Sequence, residues 1–301
     1  MVVITGGTGV MGRALVQRFT AQGERVRVFS LPNDPGIAAT RELGAEVREG
    51  DISRADDVAG LCAGARTVYH LAAVIIAYDD AVYERVNVGG TRNIVADAAR
   101  HGVEHLVHIS SASVVYPKTT AYSRSKRAGE EIVTQSGLPY TIIRPTLVYD
   151  EYGGEELNAF LAYLSRFPVV PFIGSGRVVK RPVHVEDIID GLVRLHGNER
   201  ARGKTFNFSG AERITIREFA RLCLRLLGQG NKPIVSLPVW LCHVLAGVMG
   251  LVMRRPPLRW QVIAGMTQDA DLDPVSAIDE IGYRPSRVSE KLPSCFPRRS
   301  R

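Results

Sequence analysis

Tyr122 and Lys126 stand four positions apart in the run Tyr122-Ser123-Arg124-Ser125-Lys126, shortly after Ser110-Ser111. On a helix, that spacing puts both side chains on one face, one turn apart. A lysine ammonium beside a phenol favours the phenolate. Such a tyrosine can take a proton from an alcohol, or return one to a carbonyl, as a hydride moves to or from a nicotinamide. A serine hydroxyl can hold the same substrate oxygen. Tyr-x-x-x-Lys is common by chance and can be no more than a surface helix start. Its weight comes from what lies upstream.

Upstream lies Thr5-Gly6-Gly7-Thr8-Gly9-Val10-Met11-Gly12, entered from the apolar run Met1–Ile4 and left through the helix-like run Arg13–Gln22. In such a strand–turn–helix, Gly6 suits a tight turn, Gly9 lets backbone approach a pyrophosphate, and Gly12 permits close helix–strand packing. The helix N-terminus would offer free N–H groups and its positive dipole end to the phosphates, with Val10 and Met11 of the turn also counted among the cofactor contacts. The second strand ends at Ser30, where NAD sites often place an acid and NADP sites an arginine. Ser30 is neither. Asp34 lies past Pro32, and Arg13 or Arg41 could reach a 2′-phosphate, so NAD and NADP both remain, with NAD placed first. Asp51, followed by Ile52, could accept a hydrogen bond from an adenine amino group; the alternative is a turn or N-cap aspartate. Leu71, Ala72 and Ala73 end the fourth strand, and the small residues there let a cofactor lie across the strand tips.

These groups need a frame. Strands are expected at Val2–Thr5, Val26–Ser30, Glu46–Glu49, Thr67–Leu71, His105–Ser110 and Thr141–Arg144, with helices at Gly12–Gln22, Gly36–Leu43, Ala55–Cys62 and Val88–His101. Short apolar strands alternating with helices imply βαβ units: an α/β, doubly wound parallel sheet of the Rossmann type over residues 1–150. From Tyr149 the chain reads as loop-rich, through Gly153-Gly154 and Phe167–Gly176. A helix at Glu186–His196, a strand at Thr205–Ser209 and a helix at Ile216–Leu227 follow. Residues 151–292 are expected to form mainly a smaller C-terminal substrate-binding portion, with the strand and helix near 181–210 returning to the first domain. Residues 293–301 read as a disordered basic tail. Val235–Met253 is strongly apolar and ends in Arg254-Arg255. A buried helix of the small portion is the first reading. A helix lying in a membrane interface, giving peripheral contact through 235–255, is the second. A true span comes last, since spans need about 20 apolar residues.

Composition is that of an ordinary globular chain: 301 residues, 45% hydrophobic and 23% charged. The net charge of +7 admits anionic partners, but no nucleic-acid recognition motif is present, and Arg298, Arg299 and Arg301 supply part of the excess. Cys62, Cys223, Cys242 and Cys295 are scattered without a paired spacing, which points to neither a metal site nor a disulfide framework and suits a reducing, cytoplasmic compartment. The first strand begins at residue 2, which leaves no room for a signal peptide.

Taken together, the motifs resemble those of the extended short-chain dehydrogenase/reductases, specifically the NAD-dependent epimerase/dehydratase group. They are TGGTGVMG at 5–12, Gly50-Asp51, HLAA at 70–73, Asn87-Val88-Gly89-Gly90-Thr91, ISSASVVY at 109–116, YSRSK at 122–126, RPTLVY at 144–149 and PVHVED at 182–187. The resemblance runs from residue 1 to about 290. It implies Ser111, Tyr122 and Lys126 as catalytic residues, Lys126 also on the nicotinamide ribose, and Asn87 and Pro145 among the cofactor contacts. It implies Arg181 on a nucleotide diphosphate, a task suited to a planar multidonor cation, beside Ser113 as a substrate contact. His184 and Asp187 are expected to be structural. The resemblance also suggests a homodimer through helices 88–101 and 122–136. Its leading implication is an NDP-sugar 4-epimerase acting on a nucleotide-sugar. Two departures qualify that. Only eleven positions separate Ser111 from Tyr122, where sugar epimerases carry a longer loop, and Pro117 replaces the familiar glycine. The short gap is similar to the atypical complex I accessory-subunit-like branch, some of which bind cofactor without catalysis. SSASVVY looks like sterol dehydrogenases, so a reductase or dehydrogenase of an apolar alcohol or ketone is the alternative, and a noncatalytic subunit of a membrane-associated complex is a third.

Overall fold

A computed structural model describes residues 1–150, 154–254 and 256–296. Gly153, Arg255 and the basic residues Arg298, Arg299 and Arg301 lie outside the described residues. Apolar, largely β-branched runs make the strands β1 (Val2–Thr5), β2 (Val26–Ser30), β3 (Glu46–Glu49), β4 (Thr67–His70), β5 (His105–Ile109) and β6 (Tyr140–Pro145). Between them run the helices α1 (Val10–Ala21), α2 (Ile37–Glu42), α3 (Ala55–Val58), α4 (Gly90–Arg100) and α5 (Ala121–Thr134). β7 (Val148–Tyr149), α6 (Gly154–Arg166), β8 (Val170–Ile173), β9 (Val179–Lys180), β10 (Val183–His184) and α7 (Val185–Val193) follow, then β11 (Lys204–Phe208). The main sheet has the order β11-β6-β5-β4-β1-β2-β3, parallel throughout. The central strands β1, β4 and β5 are buried along their whole length because helices cover both faces, whereas the edge strand β3 is polar and partly exposed. One face packs Leu15, Val16 and Phe19 of α1 with Ile188 and Leu192 of α7. The other packs Ile94 and Ala98 of α4 with Val3, Val68 and Leu106. Strand order reverses between β1 and β4, and ligands bind open α/β sheets in the crevice outside such a switch point.

Several boundaries depart from the sequence expectation, each for a local reason. The helix expected over Ala55–Cys62 stops at Val58, since Gly60 takes a positive φ of 76° and turns the chain. The helix expected from Val88 begins earlier, as a π-helical segment over Tyr83–Gly89 that runs into α4. The stretch read as loops after Tyr149 holds α6 and β8 instead. Leu157 and Leu164 of α6 pack on Phe172 of β8 and on Phe219.

The C-terminal portion adds β12 (Ile214–Thr215), α8 (Ile216–Leu226), β13 (Ile234–Leu237), α9 (Val239–Val252), α10 (Trp260–Met266) and α11 (Val275–Ile281). Here the reading of Val235–Met253 as a buried helix is overturned. The stretch divides at Pro238 into β13 and α9, and only Cys242 of α9 is buried. Trp240 is 67% exposed, Leu251 89% and Val252 79%. No described helix is long and apolar enough to cross a membrane. The disordered tail expected over 293–301 is contradicted at its start, where a 3-10 turn runs over Leu292–Cys295 with Leu292 buried; residues 297–301 lie outside the described residues.

Candidate active site

The glycine turn sits at the C-terminal end of β1. Gly6 has φ +70°, and a Cβ there would lie 3.0 Å from the backbone of Ala72, so the turn is pressed against the end of β4. A Cβ on Gly12 would come within 2.2 Å of the Gly6 carbonyl oxygen, so α1 can start this close to β1 only with glycine there. Gly9 differs: the nearest atom to a Cβ is 3.5 Å away, and the residue is exposed. Its roominess faces outward, where a ligand backbone or phosphate would come. Gly7, unassigned on sequence grounds, is pinned as well, against Val28 at 2.6 Å. α1 has no side-chain cap and no acidic residue in its first turn, which leaves the N–H groups of Val10, Met11 and Gly12 to face an anion. These features fit a dinucleotide pyrophosphate.

At the end of β2, Ser30 is buried and its Oγ is 3.1 Å from Thr8 Oγ1. Past Pro32, Asp34 Oδ1 accepts the N–H of Gly36 at 2.8 Å in a turn. Arg41 is engaged with Glu49, while Arg13 is exposed. Asp51 Oδ1 accepts the N–H of Ser53 in a turn, with Ile52 buried beside it. Leu71, Ala72 and Ala73 are half-buried at the end of β4, and Pro145 is buried at the end of β6.

α5 is placed by its own chemistry. Thr120 and Ser123 form a reciprocal capping box that starts the helix just before Tyr122. Glu130 accepts two hydrogen bonds from Arg144 of β6, at 2.9 and 2.6 Å, which locks the helix against the sheet. Lys126 is therefore driven inward. It is buried, and its Nζ donates to the carbonyl of Ile109 at 2.6 Å, at the tip of β5. Burial holds this ammonium down at about 8, against an ordinary value of 10.5, and the charge of Glu130 pulls partly back. Ser111 starts a 3-10 turn over Ala112–Val115; its Oγ accepts the Ser113 N–H and lies 2.9 Å from Ser113 Oγ. Ser110 Oγ is buried without a hydrogen-bond partner among the described residues. All three serines thus gather at the β5 tip beside Lys126, and Ser110 is the one whose hydroxyl is uncommitted.

Asn87 turns out to be a clamp. Its side chain exchanges hydrogen bonds with Val74 and donates to Ser125 Oγ, fastening the loop after β4 to α5. Tyr83 has the same task and gave no sequence signal, because Tyr-Glu-Arg-Val reads as a plain helix start. Its hydroxyl accepts from Ala77 N–H and donates to the Ile75 carbonyl, and its ring stands 6.0 Å from that of Tyr122. A buried histidine pair lies beneath Lys126, with ring centroids of His70 and His108 5.2 Å apart. Burial, and next the nearby Lys126 charge, push His70 down to about 3 and His108 well below its ordinary value. His70 bridges Thr5 Oγ1 and Thr91 Oγ1.

Arg181 is held by a carboxylate. Its Nε donates to Asp271 at 2.7 Å, and Asp271 also holds Arg213. His184 caps α7 through the Glu186 N–H. Asp187 accepts from the N–H and hydroxyl of Ser286, so it ties down the C-terminal segment instead of capping its own helix.

The model of the NAD dependent epimerase/dehydratase family matches residues 2–208. A ceramide reductase of Caulobacter vibrioides is 35% identical over 193 residues, which is 64% of this chain and 60% of that protein, less than two thirds of its length. A 3 beta-hydroxysteroid dehydrogenase/Delta 5-->4-isomerase of Mycobacterium tuberculosis is 28% identical over an alignment of 341 positions, covering 98% of this chain and 89% of that one. Among solved structures, a dTDP-glucose 4,6-dehydratase double mutant from Streptomyces venezuelae, with NAD bound, superposes with a TM-score of 0.76. It is 22% identical and covers 98% of this chain and 95% of its own, a likeness of fold.

Proposed function

The chain belongs to the NAD dependent epimerase/dehydratase family and is an NAD(P)-dependent oxidoreductase, and we propose that it reduces a ketone, or oxidises the corresponding secondary alcohol, on an apolar, lipid-like molecule. The observation that carries this is the loop after β4. Asn87 ties it to Ser125 of α5 and Tyr83, whose ring is 6.0 Å from that of Tyr122, holds it at Ile75; the loop carries Ile75 and Ile76 as exposed apolar side chains, while the arginine expected for a diphosphate already pairs with Asp271 through its Nε. The relatives named for ceramide and steroid support the same class of substrate.

When bound, the nicotinamide supplies or accepts the hydride. Tyr122 Oη gives a proton to the substrate oxygen in reduction and takes it back in oxidation. Lys126, charged below about pH 8, favours the phenolate. Ser111 holds the substrate oxygen, with Ser110 and Ser113 in reach of the same strand tip. The N-terminus of α1 binds the pyrophosphate, and Gly9 leaves room for it. Ketone and reduced cofactor become alcohol and oxidised cofactor, with one proton consumed.

The test is NAD(P)H consumption with 3-ketosteroids and long-chain ketones, beside UDP- and dTDP-hexoses. Ketone-dependent oxidation of NAD(P)H is expected, and Tyr122→Phe should lower kcat by about 10²–10⁴-fold while NAD(P)H still binds. Interconversion of a nucleotide-hexose with no net change in NAD(P)H, and no ketone turnover, would sink the proposal. It would support the sugar 4-epimerase reading, which requires Arg181 to leave Asp271 for a diphosphate.

A further inference from the structure

α9 is a helix with almost nothing to pack against. Trp240, Val244, Leu245, Val248, Leu251 and Val252 are all exposed, and their spacing puts them along one side of the helix. Fourteen residues rise about 21 Å, too short to span a bilayer but long enough to lie along one.

The exposed stripe does not stop at the helix. His243 of α9 lies 5.1 Å from the ring of Trp260, itself exposed. The next side chain, Arg259, sits 4.4 Å over the ring of Tyr78 and donates to the Ala77 carbonyl at 2.9 Å. That is the loop of Ile75 and Ile76, which Tyr83, its ring 6.0 Å from that of Tyr122, holds through Ile75 and Ala77. On the other side, Gln268 and Thr267, just after α10, hydrogen-bond Lys118, which immediately precedes the start of α5. The apolar lobe is therefore fastened to both loops that flank the catalytic tyrosine.

Its charge is mainly positive. From Phe219 to Gln268 there is no aspartate or glutamate, and Arg254, Arg255 and Arg259 follow α9 directly; the exposed acids beside the surface are Asp79 and Asp80, after the loop Ile75–Tyr78. Arg254, at the end of α9, is exposed. A second copy would bring an identical positive lobe against this one. An anionic bilayer offers the opposite charge together with an apolar interior.

We propose that α9, Trp260 and the loop Ile75–Tyr78 form one membrane-docking surface that lays the mouth of the active site on an anionic phospholipid bilayer. Delivery of a lipid-borne substrate from that bilayer to Tyr122 rests on the ketone-reductase reading; the docking does not.

Both tryptophans of the chain, Trp240 and Trp260, lie in this surface, so intrinsic fluorescence reports docking without turnover. The full-length protein is mixed with vesicles of phosphatidylcholine containing about one-third phosphatidylglycerol, with pure phosphatidylcholine as the comparison. The expected result is a blue shift, quenching by brominated lipid and co-sedimentation with the anionic vesicles, each weakened severalfold by high salt. Leu251→Glu with Val252→Glu should lower vesicle partitioning at least tenfold and leave NAD(P)H binding intact, since both positions already face water. Emission unchanged by vesicles, with the protein left in the supernatant, overturns the proposal. So does a lipid-independent blue shift on concentrating the protein that accompanies a doubled mass, which assigns the face to a second copy. Vesicle binding without ketone turnover would retain the docking and sink only the substrate reading.

Discussion

Lys126 carries a thermodynamic signature that can be measured apart from activity. Its ammonium is fully buried and titrates at about 8, whereas an unfolded lysine titrates at 10.5. Between those two values the unfolded chain binds the proton and the folded chain does not, so stability rises with pH across that window. Below about 8 both states are charged and the cost of burying the ammonium is present in full; above 10.5 both are neutral and the cost is gone. Between pH 7 and pH 10, linkage for one such group amounts to about 2.5 kcal/mol. Lys126→Met removes the group. It also strands the Ile109 carbonyl, which costs about 1–3 kcal/mol at either pH. The useful quantity is therefore a difference of differences. The stability of Lys126→Met relative to the parent should fall by about 2.5 kcal/mol on going from pH 7 to pH 10, because only the parent gains over that interval. Urea unfolding at 25 °C, followed by far-UV circular dichroism at the two pH values, reads it, and other titrating groups cancel between the two proteins. An unchanged offset at both pH values would refute the claim that Lys126 is a desolvated ammonium. The same physics bears on the proposed mechanism, in which the charge that destabilises the fold is the one that favours the Tyr122 phenolate.

Two further expectations follow from the same geometry. Gly12→Ala places a methyl within 2.2 Å of the Gly6 oxygen and should cost several kcal/mol or prevent folding, whereas Gly9→Ala has room in the protein and should keep its melting temperature while weakening NAD(P)H binding; equal loss of stability in both variants would contradict the assignment. His70, neutral in the fold down to about 3, should contribute acid sensitivity: stability present above about pH 6.5 is lost as the pH falls toward 3, by about 2 kcal/mol at pH 5, and His70→Asn should flatten that part of the stability–pH curve.

The candidate site was legible where residue type and short-range spacing determine geometry. The phosphate turn could be read because a glycine at positive φ and a glycine with no space for Cβ leave no alternatives, and Gly6 and Gly12 have those roles. Tyr122 and Lys126 could be read because one helical turn joins them. Asn87, Tyr83 and the histidine pair could not be given their roles, because those depend on residues distant in sequence. Asn87 works through Val74 and Ser125, Tyr83 through Ala77, and His70 through Thr5 and Thr91. Arg181 is a similar case: its motif position implied an anion, and the bond its Nε makes to Asp271, ninety residues later, could not be read from the sequence.

By itself the sequence determined the parallel order of βαβ units, the nucleotide turn at the head of the first helix and the tyrosine–lysine pair, since each depends on periodicity, backbone sterics or a single helical turn. Only the tertiary structure decided that α9 stays outside the core. Apolar composition requires burial against something. Whether that is the rest of the chain depends on the space left once β8, β13 and α10 are packed, and that space buries Cys242 of α9 and takes in Val239 and Ala246 only in part.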